Sequence, residues 1–276
     1  MKAIADTHIL ILDKTTAGIN WLFQYYGTMT NAVMEDKQRF TEKELKKYSM
    51  IIFGGGPDVD PKFYGKEKEP RTVSCPEWDE WRLRIFKQAV KLKIPMVGIC
   101  GGAQLGCVGS GGTLKQHMDN HAFGYSGRHS AYLDSRDLPD KEFLVSSDHH
   151  QLMQPQIAQK DKGPVNYEII ARCAKDHSHE IIWFKDTKFL AAQFHPEWMT
   201  VSDTAVRLFK TMIGQYVLEI NSDMVKNCAL STLTTTTTIG NTAAPTSDGW
   251  LDTEKKADPA KVYKEPATLL GEANND

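Results

Sequence analysis

The stretch Pro95–Gln104, PMVGICGGAQ, decides the fold of this chain. Its first half is a short apolar run that begins at a proline, which is typical of a buried strand. Cys100 follows directly, and the glycines after it allow the backbone to turn sharply into a helix. Such a turn presents its side chain at the carboxyl edge of a parallel sheet. The stretch therefore predicts an α/β fold with Cys100 as a candidate nucleophile.

A second apolar run, Ala191–Glu197 (AAQFHPE), delivers a histidine and a carboxylate. His195 and Glu197 flank Pro196, so both side chains could leave the same face of the chain. A glutamate in that position can orient the imidazole while the other ring nitrogen takes the proton of a thiol. The alternative is a packed cysteine with an unrelated histidine, since free cysteine is often buried. The glycines after Cys100 favour a Cys-His-Glu triad, because a packing cysteine needs none.

A glycine triplet follows the predicted strand Met50–Phe53 and opens the segment Gly54–Gly65. Glycines after a strand let backbone N–H groups point into a cleft, where acyl transfer needs donors for the developing oxyanion. Taken alone, the triplet is more typical of a flexible loop, and the other motifs are what favour the oxyanion role. It is not a phosphate-binding loop, because no Gly-Lys-Ser/Thr follows, and it lacks the G-x-G-x-x-G spacing of a dinucleotide site.

Five segments together resemble the class I glutamine amidotransferase family. Within that family the chain is most similar to the γ-glutamyl hydrolases of the γ-glutamyl-γ-aminobutyrate hydrolase type. The matching segments occur in the family's order and are Gly54–Gly65, Gly98–Gln104, Gly111–Leu114, Val145–Gln151 and Gln193–Trp198. The resemblance implies a flavodoxin-like fold and hydrolysis of a γ-glutamyl amide through a glutamyl thioester.

The resemblance also implies a role for individual residues. Cys100 would be the nucleophile, His195 the general base and later the acid, and Glu197 the residue that orients His195. The backbone N–H groups of Gly56 and Gly101 would form the oxyanion hole. The substrate would be a small γ-glutamyl compound.

Three further residues match positions that surround the substrate in this family. Gln104 would help to hold the glutamyl end, and Ser147 with His149 would line the same pocket. The chain departs from the hydrolase subgroup at two positions, with Gly101 where arginine is common and Ser146 where asparagine is common. The oxyanion role uses only the backbone of Gly101, so these departures bear on the group beyond the γ-carbonyl.

Three functions remain open from the sequence. The first is a stand-alone hydrolase of γ-glutamyl amide bonds, in glutamine or in a γ-glutamyl-amine. The second is a glutaminase subunit that delivers ammonia to a separate synthetase. The third is a non-catalytic binding protein on the same fold, which the presence of all three triad residues disfavours.

The composition is that of a globular chain with one sizeable core. It has 276 residues, of which 41% are hydrophobic and 25% charged, and its formal net charge is −2. This balance gives no electrostatic reason to expect binding to nucleic acid or to a membrane. The 5 cysteines lack the paired spacing of a secreted disulfide scaffold. We therefore expect a cytoplasmic protein.

The order of the apolar segments predicts one catalytic domain over residues 1–227. Strands and helices alternate in its first half, which indicates a mostly parallel sheet with helices on both faces. Shorter strand-like pieces follow and predict a small antiparallel extension that returns the chain to His195; they are Glu168–Ala171, Glu180–Phe184 and Phe189–Phe194. Residues 228–276 are rich in threonine and poor in apolar residues, and predict a disordered tail.

Two groups of polar residues have spacings that also occur at metal sites. One group is Cys173, His177 and His179; the other is His117, Asp119 and His121. Neither has the second ligand pair of a structural zinc site, so polar loops are the favoured interpretation. The sequence predicts no metal ion and no cofactor.

Overall fold

The computed structural model describes residues 7–12, 16–33, 36, 39–134 and 142–219. The predicted tail, residues 228–276, lies outside them, as does the end of the predicted catalytic domain. In the described ranges, no helix combines the length and the apolar character that crossing a membrane requires.

A single mixed sheet forms the centre of the described ranges, and one half of it is parallel. This half has five strands, which are β1 (His8–Leu12), β2 (Thr28–Ala32), β3 (Met50–Phe53), β4 (Met96–Ile99) and β11 (Phe189–Ala192). Their order across the sheet is β2-β1-β3-β4-β11, and every neighbouring pair is parallel. β3, β4 and β11 read as continuous apolar runs because each strand is buried along its whole length.

The sheet continues beyond β11 as an antiparallel half. Its strands, in spatial order, are β10 (His179–Phe184), β9 (Tyr167–Cys173), β6 (Arg128–Leu133) and β7 (Phe143–Ser146). A separate pair consists of β5 (Thr113–Lys115) and β8 (Leu152–Gln154). The predicted α/β fold with a parallel sheet and an antiparallel extension is confirmed, and with four strands beyond β11 the extension is larger than predicted. One element differs from the prediction, which placed β11 in the antiparallel extension. β11 pairs in parallel with β4 and antiparallel with β10, and so joins the two halves.

Helices cover both faces of the sheet. The α-helices are α1 (Thr16–Phe23), α2 (Glu42–Leu45), α3 (Pro76–Leu92), α4 (Gly101–Gly109) and α5 (Thr204–Met212), and α5 continues as a π-helical turn over Ile213–Val217. Alternate residues of β1 enter two different cores: Leu10 belongs to the core that contains Phe86 of α3, and Ile11 belongs to the core that contains Phe209 of α5. The period of two along a strand thus explains the two apolar layers.

The strand order brings three motifs to one edge of the sheet. β4 lies between β3 and β11, and parallel strands end at the same edge. The glycine loop after Phe53, the turn at Cys100 and the segment leading to His195 therefore meet there. A backbone hydrogen bond of 2.8 Å from Cys100 N to Ala192 O fixes the turn against the end of β11.

Candidate active site

Cys100 occupies a strained turn between β4 and α4. Its backbone angles are φ 48° and ψ −112°, a conformation that residues with a side chain rarely adopt. The carbonyl of Cys100 accepts the first-turn hydrogen bond from Gln104 N at 3.0 Å. Its side chain is close to fully buried but keeps 7% of its surface exposed. The turn therefore holds the sulfur at the amino terminus of α4, with little of the residue exposed to solvent.

The glycine loop after β3 packs directly against this turn. A Cβ atom on Gly55 would lie 3.1 Å from His195 Cε1 and 3.9 Å from Cys100 Cβ. Gly56 has φ +156°, which side chains disfavour, and a Cβ atom on Gly101 would lie 3.1 Å from Gly56 N. The backbones of Gly56 and Gly101 thus approach each other beside Cys100, at a distance that glycine permits.

A buried ion pair on α3 holds this loop in place. Arg82 and Asp79 of α3 are 0% and 1% exposed and form a 3.1 Å salt bridge. Asp79 also accepts a hydrogen bond from Asp60 N, and Arg82 donates to Gly54 O. Burial raises the pKa of Asp79, while Arg82 lowers it. The pair fastens both ends of the loop to α3.

His195 and Glu197 form a buried pair next to Cys100. Nδ1 of His195 and Oε1 of Glu197 are 2.7 Å apart, and both side chains are 8% exposed. A carboxylate can only accept, so Nδ1 carries the proton and Nε2 remains available to a thiol. The Glu197 backbone carbonyl accepts a hydrogen bond from Trp21 Nε1 at 3.1 Å, which ties the pair to α1.

Two contacts fix the His195 ring and backbone. Trp198 stacks on the imidazole with 3.6 Å between ring centroids and an interplanar angle of 2°. The Ser146 hydroxyl accepts a hydrogen bond from His195 N at 2.8 Å and donates one to His195 O at 2.9 Å. Because Ser146 is fully buried, this double contact leaves little freedom for the histidine backbone.

The pKa of His195 lies well above its usual value. Burial by itself lowers it, but this effect is outweighed by the Cys100 side chain and the Glu197 carboxylate, which both favour the imidazolium. Cys100 acts both through its charge and through a side-chain hydrogen bond to His195. The site therefore favours a protonated His195 next to the Cys100 sulfur.

The three predicted substrate-binding residues are all buried. Gln104 Nε2 and His149 Nδ1 both lie 3.2 Å from the carbonyl oxygen of Gln151. Ser147 donates to the backbone carbonyl of His121 at 2.6 Å. Burial, assisted by the neighbouring His121, lowers the pKa of His149 well below its usual value, so this ring is neutral near pH 7. The three residues thus order the segment after β7, whose Asp148 carbonyl lies 4.0 Å from Cys100 Sγ.

In the structure, residues of the two groups with metal-like spacing have partners both inside and outside their own group. His117 pairs with Asp119 at 3.0 Å on the surface, while His177 contacts the Tyr132 hydroxyl. His121 instead pairs with Asp176 at 2.8 Å, far along the sequence. Sequence reasoning missed this pairing, because spacing cannot show which loops meet across a sheet.

Two other contributors to the site were also missed. Trp198 directly follows the predicted triad residue Glu197, so an aromatic residue at that position was a readable signal for a stacking partner. The double contact of Ser146 with His195 had no such signal, because it depends on how β7 lies relative to the end of β11.

Known proteins share this sequence pattern and this fold. A putative glutamine amidotransferase of Mycobacterium tuberculosis is 31% identical over 184 residues, which cover 61% of this chain and 56% of that protein. A putative glutamine amidotransferase-like protein, YvdE of Lactococcus lactis, is 29% identical over 65% of this chain and 79% of its own length. The alignment thus spans little more than half of the Mycobacterium relative.

More distant matches include one component of a synthetase, and one solved structure. The component belongs to the glutamine-hydrolysing GMP synthase of Saccharolobus solfataricus and is 23% identical over 62% of this chain and 79% of its own length. The crystal structure of a glutamine amidotransferase from Thermotoga maritima superimposes with a TM-score of 0.51 at 16% identity, covering 81% of this chain and 90% of that one. This second likeness supports the fold alone.

One family model matches most of the predicted catalytic domain. It is that of Peptidase C26, and it covers residues 24–197, from the end of α1 to Glu197. The matched range contains the turn at Cys100, the glycine loop and the His195–Glu197 pair. The chain therefore belongs to the Peptidase C26 family, of the class I glutamine amidotransferase type.

Proposed function

We propose that this protein hydrolyses γ-glutamyl amide bonds, in glutamine or in a γ-glutamyl-amine, with Cys100 as its nucleophile. The observation that carries the proposal is the strained backbone of Cys100 beside the buried His195–Glu197 pair. A strained residue persists only where the surrounding structure holds it in place, and such residues concentrate at active sites. Family membership supports the same class of reaction.

The reaction would proceed in two steps. In the first, the Cys100 sulfur attacks the γ-carbonyl carbon, and the C–N bond breaks as the imidazolium of His195 protonates the leaving amine or ammonia. In the second, His195 takes a proton from water, whose oxygen attacks the thioester and releases glutamate with the thiol restored. Glu197 keeps His195 in the tautomer that both steps need.

The oxyanion of each tetrahedral intermediate would be held by the backbone N–H groups of Gly56 and Gly101. Their close approach beside Cys100 supports this assignment, and the Asp79–Arg82 pair would preorganise the loop. Gln104, Ser147 and His149 would shape the glutamyl pocket by fixing the segment next to Cys100.

The direct test is a substrate panel read by released glutamate. We expect the purified protein alone to release glutamate from glutamine or from at least one γ-glutamyl-amine, and the same preparation of Cys100→Ala to release none. Comparing several leaving amines at equal concentration identifies the preferred one. Absence of release from every compound, or equal release by the Cys100→Ala variant, would reject the proposal.

Replacing Glu197 by glutamine tests the orienting role and its pH dependence. We expect kcat/KM to fall by about 10²- to 10⁴-fold, because an amide can present the wrong hydrogen-bond partner to Nδ1. The charge of Glu197 raises the pKa of His195, so its removal should lower that pKa. The imidazolium would then lose its proton at a lower pH, so the alkaline limb of the pH–rate profile should shift to lower pH.

A matched control for this variant is Glu80→Gln on the exposed face of α3. It makes the same chemical change at an exposed residue of another element and should leave the profile in place. An unchanged alkaline limb in Glu197→Gln would contradict the assigned coupling between Glu197 and His195.

A second candidate function is a glutaminase component that passes ammonia to a synthetase. The observation that favours it is the similarity to one component of a glutamine-hydrolysing GMP synthase. The same panel separates the two functions. Turnover of glutamine only after a synthetase partner is added would support the ammonia-delivering role, whereas rapid turnover of a γ-glutamyl-amine by the protein alone would support the hydrolase.

A further inference from the structure

A second buried cluster of titratable side chains lies beside the candidate active site. It consists of His121 in the loop before β6, His129 on β6 and Glu180 on β10. Each residue can offer one ligand atom such that the three atoms lie within 4.8 Å of one another. The His121 and Glu180 side chains are 3% and 0% exposed, and that of His129 is 12% exposed. The mechanism proposed above uses none of them.

One nitrogen of each imidazole is already engaged by a carboxylate. His121 Nε2 donates to Asp176 Oδ2 at 2.8 Å, and His129 Nε2 donates to Glu180 Oε1 at 2.8 Å. Since each Nε2 carries the proton, each Nδ1 of a neutral ring bears a free lone pair. The two rings are in contact, with 5.0 Å between their centroids.

The remaining polar atoms of the cluster are orphaned. Within the described part of the chain, Nδ1 of His121, Nδ1 of His129 and Oε2 of Glu180 are buried and have no hydrogen-bond partner. Buried polar atoms are almost always paired, and an unpaired group calls for an explanation such as a bound water or ion. The two nitrogens of an imidazole point to nearly opposite sides of the ring, so Nδ1 of His129 faces away from Glu180. The atoms that could share one ion are therefore Nε2 of His129, the Glu180 carboxylate and the unpaired Nδ1 of His121.

The carboxylate behind His121 has the arrangement found at metal centres. Metal-ligating histidines commonly donate their second ring N–H to a carboxylate, which fixes the tautomer and makes the free nitrogen a better ligand. Asp176 is placed for this role: its Oδ2 lies 2.8 Å from His121 Nε2, and its Oδ1 accepts a hydrogen bond from Ser178 N at 3.0 Å. Cys173 also lies near His121 and Asp176.

We propose that His121, His129 and Glu180 bind a divalent transition-metal ion, with Asp176 orienting His121. Two imidazoles and one carboxylate suit Zn²⁺, and they would leave a fourth position open. The ion would take the place of the proton between His129 Nε2 and Glu180 Oε1, which lie 2.8 Å apart, and would give Nδ1 of His121 the partner that it lacks.

The position of the cluster gives the ion a structural role near the active site. The backbone carbonyl of His121 accepts hydrogen bonds from Ser147 Oγ at 2.6 Å and from His149 N at 3.1 Å. An ion held by His121 would therefore fasten this loop to the segment that carries Ser147 and His149. This inference does not depend on the hydrolase proposal, because the ion takes no part in the two chemical steps.

The test uses the full chain, stripped with a chelator and titrated with Zn²⁺ alone. We expect calorimetry and elemental analysis to find one ion per chain, and the melting temperature to rise with added Zn²⁺, because binding to the folded state stabilises it. Co²⁺ in place of Zn²⁺ should give visible absorption bands of a nitrogen- and oxygen-bound ion. A chain that takes up no ion under these conditions would overturn the proposal.

Variants assign the site to these residues. Glu180→Gln and His129→Gln keep the side-chain size and should weaken Zn²⁺ binding by about 100-fold or more, while Asp176→Asn should weaken it by about 10- to 100-fold. His177→Ala and His117→Ala remove histidines outside the cluster and should bind as the native chain does. Unchanged binding in the cluster variants, or loss in His117→Ala instead, would place the ion elsewhere and overturn the assignment. If a cluster variant fails to fold, the metal content and the Co²⁺ spectrum of the native chain decide.

Discussion

Replacing Cys100 by alanine is expected to abolish glutamate release while leaving the fold intact. The sulfur forms the covalent bond of the proposed mechanism, and removing a nucleophile of this kind costs about 10⁴-fold in rate or more. The fold should survive because alanine keeps the Cβ atom. The substitution removes only the sulfur atom of a residue that is 7% exposed. Steady-state rates with the preferred substrate, together with circular dichroism, measure both expectations.

Cys107 provides a matched control in the same helix. It is fully buried in the core, and burial raises the pKa of its thiol to about 12, so it is an unreactive packing residue. Cys107→Ala should lose some stability through a small cavity but keep its rate per folded molecule. A Cys100→Ala protein that retains the native rate, or a Cys107→Ala protein that loses it, would show that the nucleophile is wrongly assigned.

Gly102→Ala is expected to have the largest effect on stability. A Cβ atom on Gly102 would lie 2.0 Å from the carbonyl oxygen of Phe53 and 2.7 Å from that of Gly54. Both are backbone atoms at the end of β3, so relief of the clash requires α4 or the glycine loop to move. Alanine is otherwise the better helix former by about 1 kcal/mol. We expect a net loss of about 3 kcal/mol in the free energy of unfolding, measured by chemical denaturation.

Gly163 offers the corresponding control, because a Cβ atom there meets nothing within 4 Å. Gly163→Ala should change the free energy of unfolding by less than about 1 kcal/mol, and any gain would come from a less flexible unfolded chain. Equal stability of Gly102→Ala and the native protein would mean that β3 and α4 are packed less closely than the structure shows.

The parallel half of the fold and the Cys100 turn could be read from the sequence for a physical reason. Fully buried strands need apolar side chains on both faces, so β3, β4 and β11 stand out as unbroken apolar runs. The turn also leaves a local signature, because the close approach of α4 to β3 and of Gly101 to Gly56 requires glycine. These constraints act within a few residues of each other and therefore appear as motifs.

The remaining parts of the site depend on contacts between distant segments. The contact between Ser146 and His195 arises because β7 ends near the end of β11, which no periodicity encodes. His121, His129 and Glu180 come from a loop and two strands that are not neighbours in the sheet. The sequence pointed to His121 only within a group of nearby residues, because ligand spacing is informative only where one segment supplies several ligands.

The most direct test of the account is to trap the covalent intermediate on Cys100. Mixing the protein with its preferred substrate, quenching with acid within one turnover and digesting the product allows the peptide that carries Cys100 to be weighed by mass spectrometry. We expect that peptide to carry a glutamyl group in thioester linkage, which hydroxylamine removes. Glutamate release at the full rate from a protein whose Cys100 peptide never carries the adduct would contradict it.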